Sequence, residues 1–123
     1  MTEGQIDTDA LQRLLRVIGG DPEDLRELVE EFLQTAPELA ASISDAAATG
    51  DRDALRIAAH TLKSNARDFG AMRLSELCAA LESACRGDGA LDARGAAEDI
   101  AREERTARIT LANLELDALG QDV

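Results

Sequence analysis

The sequence predicts an all-α protein, an antiparallel up-down-up-down four-helix bundle with a short N-terminal lid helix. Three observations predict it. The apolar content is mostly Ala, with 23 residues, and Leu, with 17, whereas Val and Ile total nine and the only aromatics are two Phe. Ala and Leu favour helices, while strands draw on the β-branched and aromatic residues that are scarce here. Apolar residues recur at helical spacing along almost the whole chain. Gly, Pro and Asp interrupt that pattern only briefly, so the connections are short and successive helices are expected to run antiparallel. With 123 residues there is room for one domain, residues 1–123, with a core from about 8 to 118.

The first element, residues 8–18, places Leu11, Leu14, Leu15 and Ile18 on one face and stops at Gly19-Gly20. Asp21 then reads as an N-cap, with Pro22 at the first helical position and Glu23 and Asp24 in the first turn. Leu25, Leu28, Phe32, Ala36, Leu39, Ile43 and Ala46 continue one stripe across Pro37, which predicts either one long kinked helix or two in close succession. Gly50 closes that segment and Asp51 caps the next, where Leu55, Ala58, Ala59, Leu62, Ala66 and Phe69 share a face up to Gly70. Residues 71–86 carry Leu74, Leu77, Cys78, Leu81 and Cys85, and end at Gly87-Asp88-Gly89. A final helix over about 92–118 repeats Ala93, Ala97, Ile100, Ala107, Leu111, Leu114 and Ala118. Glu104 breaks its stripe, Gly95 weakens its start, and residues 120–123 are expected to fray.

Charge and cysteine content narrow the function. The net charge is −12, which argues against nucleic acid and against an anionic membrane surface as partners. Charged residues make up 31% and the apolar runs are short, so no membrane span is expected, and no targeting peptide is visible. Cys78 and Cys85 lie seven apart on one helix, about 10 Å along its axis, too far for a disulfide and without a zinc pattern; they read as buried small hydrophobes. A cytoplasmic location is expected.

The single histidine stands out. On a helical wheel with Leu55 at zero, the apolar stripe falls within about 60° on either side, whereas His60 falls near 140°. Arg52, Lys63, Arg56 and Arg67 fall at about 60°, 80°, 100° and 120°, so His60 shares a basic strip with four cations. Residues 51–69 carry four cations and three acids, a net +1, which leaves −13 on the rest. The only Lys of a strongly acidic chain is one turn from its only His. Neighbouring cations disfavour an imidazolium, so a neutral, nucleophilic ring is expected. Ser64, one turn on, is small enough to leave the ring open, and Lys63 and Arg67 are placed to meet anionic oxygens on it. Ile57, near 200°, reads as a tolerated surface residue or as part of an apolar docking patch, with Arg56 beside it.

The run Ala59-His60-Thr61-Leu62-Lys63-Ser64-Asn65-Ala66-Arg67-Asp68-Phe69-Gly70 resembles the signature of the histidine-containing phosphotransfer (HPt) domain family. That signature is His, Leu two on, Lys three on, a small residue four on and Gly ten on. The segments Gly20-Asp21-Pro22 through Phe32 to Ala36-Pro37-Glu38-Leu39, and Leu74, Leu77, Cys78, Leu81 and Glu82, resemble the flanking helices of the family. The resemblance spans residues 10–115. Ser64 departs from it, because the family more often has Gly there.

The resemblance implies a phosphorelay role, with His60 as phosphoacceptor, Lys63 balancing phosphoryl charge and Ser64 as a clearance position; Arg67 is added from the wheel. Response-regulator receiver domains and a histidine or hybrid kinase are the implied partners. No cofactor is expected on this chain, since the Mg²⁺ needed for transfer would sit in the receiver, and a monomer is expected. The chain has neither a G-x-x-x-x-G-K-[ST] run nor a G-x-S-x-G run, so an intermediate without a nucleotide site is expected rather than an enzyme. The alternatives are a helical interaction module that is never phosphorylated and the N-terminal phosphoacceptor domain of a chemotaxis-type histidine kinase. One Lys against twelve Arg, with much Ala, suggests a bacterium with a GC-rich genome.

Overall fold

A computed structural model describes residues 5–116 and Leu119. Its helices are α1 (Thr8–Val17), α2 (Pro22–Thr49), α3 (Arg52–Asp68), α4 (Met72–Arg86) and α5 (Ala93–Ala112). Among the described residues there is no strand. α2 packs against α3 and α5, α3 against α4, and α4 against α5, so four helices close a cycle of contacts, and α1 lies on α2 and α3. The core inside that cycle is built from the stripes read in the sequence, including Leu25, Phe32, Ile43, Leu55, Leu62, Leu74, Cys78, Leu81, Ile100 and Leu111, with Leu11 and Leu15 added from α1.

Side-chain caps start α2 and α3 where the sequence places them. Asp21 accepts from the Glu23 amide and Asp51 from the Ala54 amide, each at 3.0 Å, satisfying donors that have no partner inside the helix. Asp7 and Asp92 do the same for α1 and α5. α2 runs unbroken through Pro37, which settles the choice between one helix and two. Pro37 has no N–H to offer the Leu33 carbonyl, and burial of the surrounding stripe outweighs that loss.

α5 ends at Ala112, six residues before the expected limit of about 118. Asn113 stops it by donating its side-chain Nδ2 to the Ile109 carbonyl at 2.9 Å, competing for a group that continued helix would use. Leu114 and Leu116 still pack on the core beyond that end. Ala118 and the fraying expected at 120–123 lie outside the described residues. Glu104, which interrupts the α5 stripe, is buried and accepts from Arg108 Nε at 2.8 Å, one turn along the same helix. Both cysteines are free and buried, and burial pushes the Cys78 thiol up to about 12.

Two contacts fix the end of α3 that follows the histidine. The Phe32 and Phe69 rings stack with centroids 4.7 Å apart, joining α2 to the α3 terminus. Gly70 follows at φ +80°, and its carbonyl accepts from the Asp7 amide at 2.8 Å, which seats the start of α1. A Cβ at position 70 would lie closer to the Asp7 carbonyl oxygen than van der Waals contact permits and would also strain the left-handed backbone. Gly70→Ala is therefore expected to cost about 2 kcal/mol or more. Urea unfolding checks this; a midpoint equal to that of the parent chain would contradict the account of this junction.

Candidate functional site

His60 sits near the middle of α3, on the side away from its buried stripe. Its side chain is 55% exposed, so the ring faces solvent as the wheel requires. It is not free, however. Nδ1 lies 2.8 Å from Oε2 of Glu82 on α4. An ionised carboxylate can only accept, so Nδ1 carries a proton and donates, and the nitrogen left to bear a lone pair in the uncharged form of the ring is Nε2.

Glu82 is the centre of the site. It is buried, and its two oxygens take donors from two helices: Lys63 Nζ on Oε1 at 2.5 Å, and His60 Nδ1 with Arg86 Nη2, at 2.9 Å, on Oε2. The hydrogen bond from Lys63 leads the effects that hold the Glu82 carboxyl down at about 2, with the His60 bond and the nearby positive charge in the same direction, against a burial that opposes ionisation. The carboxylate is therefore ionised at neutral pH. Where the sequence suggested a ring bordered by cations alone, the nearest charged group is an anion that both orients the ring and holds Lys63 beside it.

The other expected residues divide. Lys63 is at the hub, and Ser64 is half-buried beside it on α3. Ile57 is 56% exposed, one of the few large apolar side chains left to solvent, and Arg56 is half-buried next to it. Arg67 is exposed in the last turn of α3 and has no hydrogen bond to the hub; seven residues place it about 10 Å along the axis from His60. Arg52, grouped with the basic strip on the wheel, belongs elsewhere. Its guanidinium donates to the carbonyls of Cys85, Ala84 and Gly87 at 2.9, 2.9 and 2.7 Å, closing the C-terminal end of α4. These carbonyls lie at the helix end, where i+4 amides run out; Ala84 also accepts from the Gly87 amide at 3.2 Å, and the fork of guanidinium N–H groups answers the capacity that remains.

Glu82 and Arg86 are the two residues of this hub to which the sequence reading attached no role. A signal for Glu82 was present: it lies four after Cys78 and three before Cys85, inside a buried stripe, where a carboxylate needs a partner. Nothing local marks Arg86 except its place one turn after Glu82. Among the described residues no cluster of His, Cys, Asp or Glu could hold a metal ion, and no helix is long and apolar enough to cross a membrane.

The comparisons with known proteins agree with this geometry. The family model described as the Hpt domain matches residues 27–122. The chain belongs to the Hpt domain family. Among solved structures it is similar to histidine-containing phosphotransfer protein B from Pseudomonas aeruginosa PAO1, with a TM-score of 0.78 and 28% identity over 87% of this chain and 90% of that one. No curated protein matches it in sequence. As an Hpt domain, the chain serves histidine phosphotransfer in a phosphorelay, as a carrier of phosphoryl groups between response regulators and kinases rather than a kinase.

The hub has a pH signature. The Glu82 carboxyl lies below its ordinary value of 4.5, so its contribution to stability is fully present above that value and is lost as pH falls toward about 2. Urea midpoints measured between pH 6 and pH 2 should fall more steeply for the parent chain than for Glu82→Gln. Parallel curves for the two proteins would show that the carboxylate gains nothing from its three donors.

Proposed function

We propose that His60 Nε2 is the phosphoryl acceptor and that Glu82, Lys63 and Arg86 support the transfer. The observation that carries this reading is the 2.8 Å bond from Nδ1 to Glu82, which commits the ring proton to the buried side and the lone pair to the solvent side. Nε2 attacks the phosphorus of an aspartyl phosphate on a docked receiver domain. The N–P bond forms as the P–O bond breaks, and the receiver carboxylate leaves with the electron pair. Because Nδ1 keeps its proton, the phosphorylated ring is cationic, and the Glu82 carboxylate faces that charge. In the onward step the same proton lets the ring depart as a neutral imidazole.

Phosphoryl transfer asks a protein chiefly for position and charge. α3 holds the ring, and Lys63 and Arg86 stand on either oxygen of Glu82, the carboxylate that also holds the ring, and supply the positive charge for the transferred group. Arg56 and Arg67 extend the positive surface, Ile57 offers an apolar contact, and Ser64 leaves room for the incoming domain. Mg²⁺ belongs to the acidic pocket of the receiver, so this chain needs no cofactor and no nucleotide site of its own. We read the four-helix cycle as an up-down-up-down bundle with α1 as its lid, acting as a cytoplasmic monomer without membrane or nucleic-acid partners.

Exposure to a phosphorylated receiver should add one phosphate to the chain, acid-labile and base-stable, as read by intact mass. His60→Gln should remove that labelling with helicity unchanged, and undiminished labelling would exclude His60 as acceptor. Lys63→Ala should slow transfer by about tenfold or more while the bundle stays folded; a stopped-flow rate equal to that of the parent would take Lys63 out of the mechanism.

A further inference from the structure

α3 and α4 touch through more polar links than those of the hub, and the additional ones flank it. Arg52, at the first position of α3, grips the carbonyls of Ala84, Cys85 and Gly87. At the other side of the hub Ser75, buried on α4, donates its Oγ to the backbone carbonyl of Lys63 at 3.0 Å. The links Arg52–Cys85, His60–Glu82 and Lys63–Ser75 run in opposite directions along the two helices, so the pair is antiparallel. Along α3, His60 lies between the two attachment points; along α4, Glu82 lies between Ser75 and Ala84.

This bracketing matters because the hub tolerates little sliding. One residue of axial slip between two helices is about 1.5 Å, enough to carry a 2.8 Å hydrogen bond beyond useful range. The apolar stripes of α3 and α4 are made largely of Ala, Leu and Cys, whose packing resists separation more than small axial displacement. The two polar attachments resist displacement directly. The acceptors are all backbone carbonyls, and those of Lys63, Ala84 and Cys85 move only with their helices. Ser75 therefore acts on the frame that carries Lys63, and Arg52 on the frame that carries Glu82.

We propose that Arg52 and Ser75 are positioning residues that set the axial register of α3 against α4, and so keep the Nδ1 proton of His60 on Glu82 and Nε2 available to the phosphoryl donor. The proposal rests on the phosphotransfer reading for its effect on rate, but its effect on the ring is independent of that reading. Neither residue touches the reacting atoms.

The test uses the full chain with Ser75→Ala, Arg52→Lys, Arg52→Ala, the double variant Arg52→Lys with Ser75→Ala, and the conservative Ser75→Thr, which retains the hydroxyl. Long-range ¹H–¹⁵N spectra of the imidazole report the tautomer, and phosphoramidate serves as a small phosphodonor from which ammonia leaves as Nε2 takes the phosphoryl group. The expected result is a loss of the Nδ1–H tautomer in Ser75→Ala and Arg52→Ala, larger in the double variant. Labelling of His60 should slow by about tenfold in the double variant, and Ser75→Thr should restore parent behaviour. Should Arg52→Ala fail to fold, Arg52→Lys and Ser75→Ala decide the matter. Folded variants that keep both the tautomer and the labelling rate of the parent would overturn the proposal. A parent chain that phosphoramidate never labels at His60 would instead count against the phosphotransfer reading, and the tautomer would still judge the two positioning residues.

Discussion

The functional face depends on one buried carboxylate. Glu82 lies in the stripe by which α4 packs on its neighbours, and a charge there is tolerated only because three donors meet it. Removing water from a carboxylate is costly, and charge-assisted hydrogen bonds must offset that cost. On the proposed mechanism the donors are the residues the chemistry uses: a ring that shows Nε2 and two cations that stand near it. Satisfying Glu82 and arranging the site are thus one structural requirement.

The rest of the fold serves that requirement at a distance. The turn at Gly70 and the Phe32–Phe69 stack fix the end of α3 beyond His60. The Arg52 contacts fix the other end against α4. Between these anchors α3 is continuous from Arg52 to Asp68, so the ring is carried on a rigid element rather than on a loop. The strong negative charge of the remaining surface makes the cations around His60 a local exception, and a partner that reaches this face finds positive charge where most of the protein repels anions.

Much of this was legible in the sequence, and what was not has a physical reason. Helical periodicity exposed the stripes and the outward position of His60, and the residue types around Gly20-Asp21-Pro22 and Gly50-Asp51 exposed two of the Asp caps, because all of these are local properties of one segment. The path of α2 through Pro37 was left open by the sequence, since tertiary burial decides it. Asn113 ended α5 early through a side-chain bond that periodicity does not register. Arg52 shows the limit of the wheel: its angle placed it with His60, but its reach is set by the end of α4, a neighbour that no wheel of α3 contains. Glu82 is the same lesson from the other side, a polar residue in an apolar stripe whose partners lie on a different helix.

The central claim is that the proton on Nδ1 directs the phosphoryl group to Nε2 of His60. It is tested most directly by phosphorylating ¹⁵N-labelled protein and reading which ring nitrogen couples to phosphorus. The account predicts phosphorus coupling at Nε2 of His60, with Nδ1 still facing Glu82. Coupling at Nδ1, or phosphate on any other side chain, would contradict it.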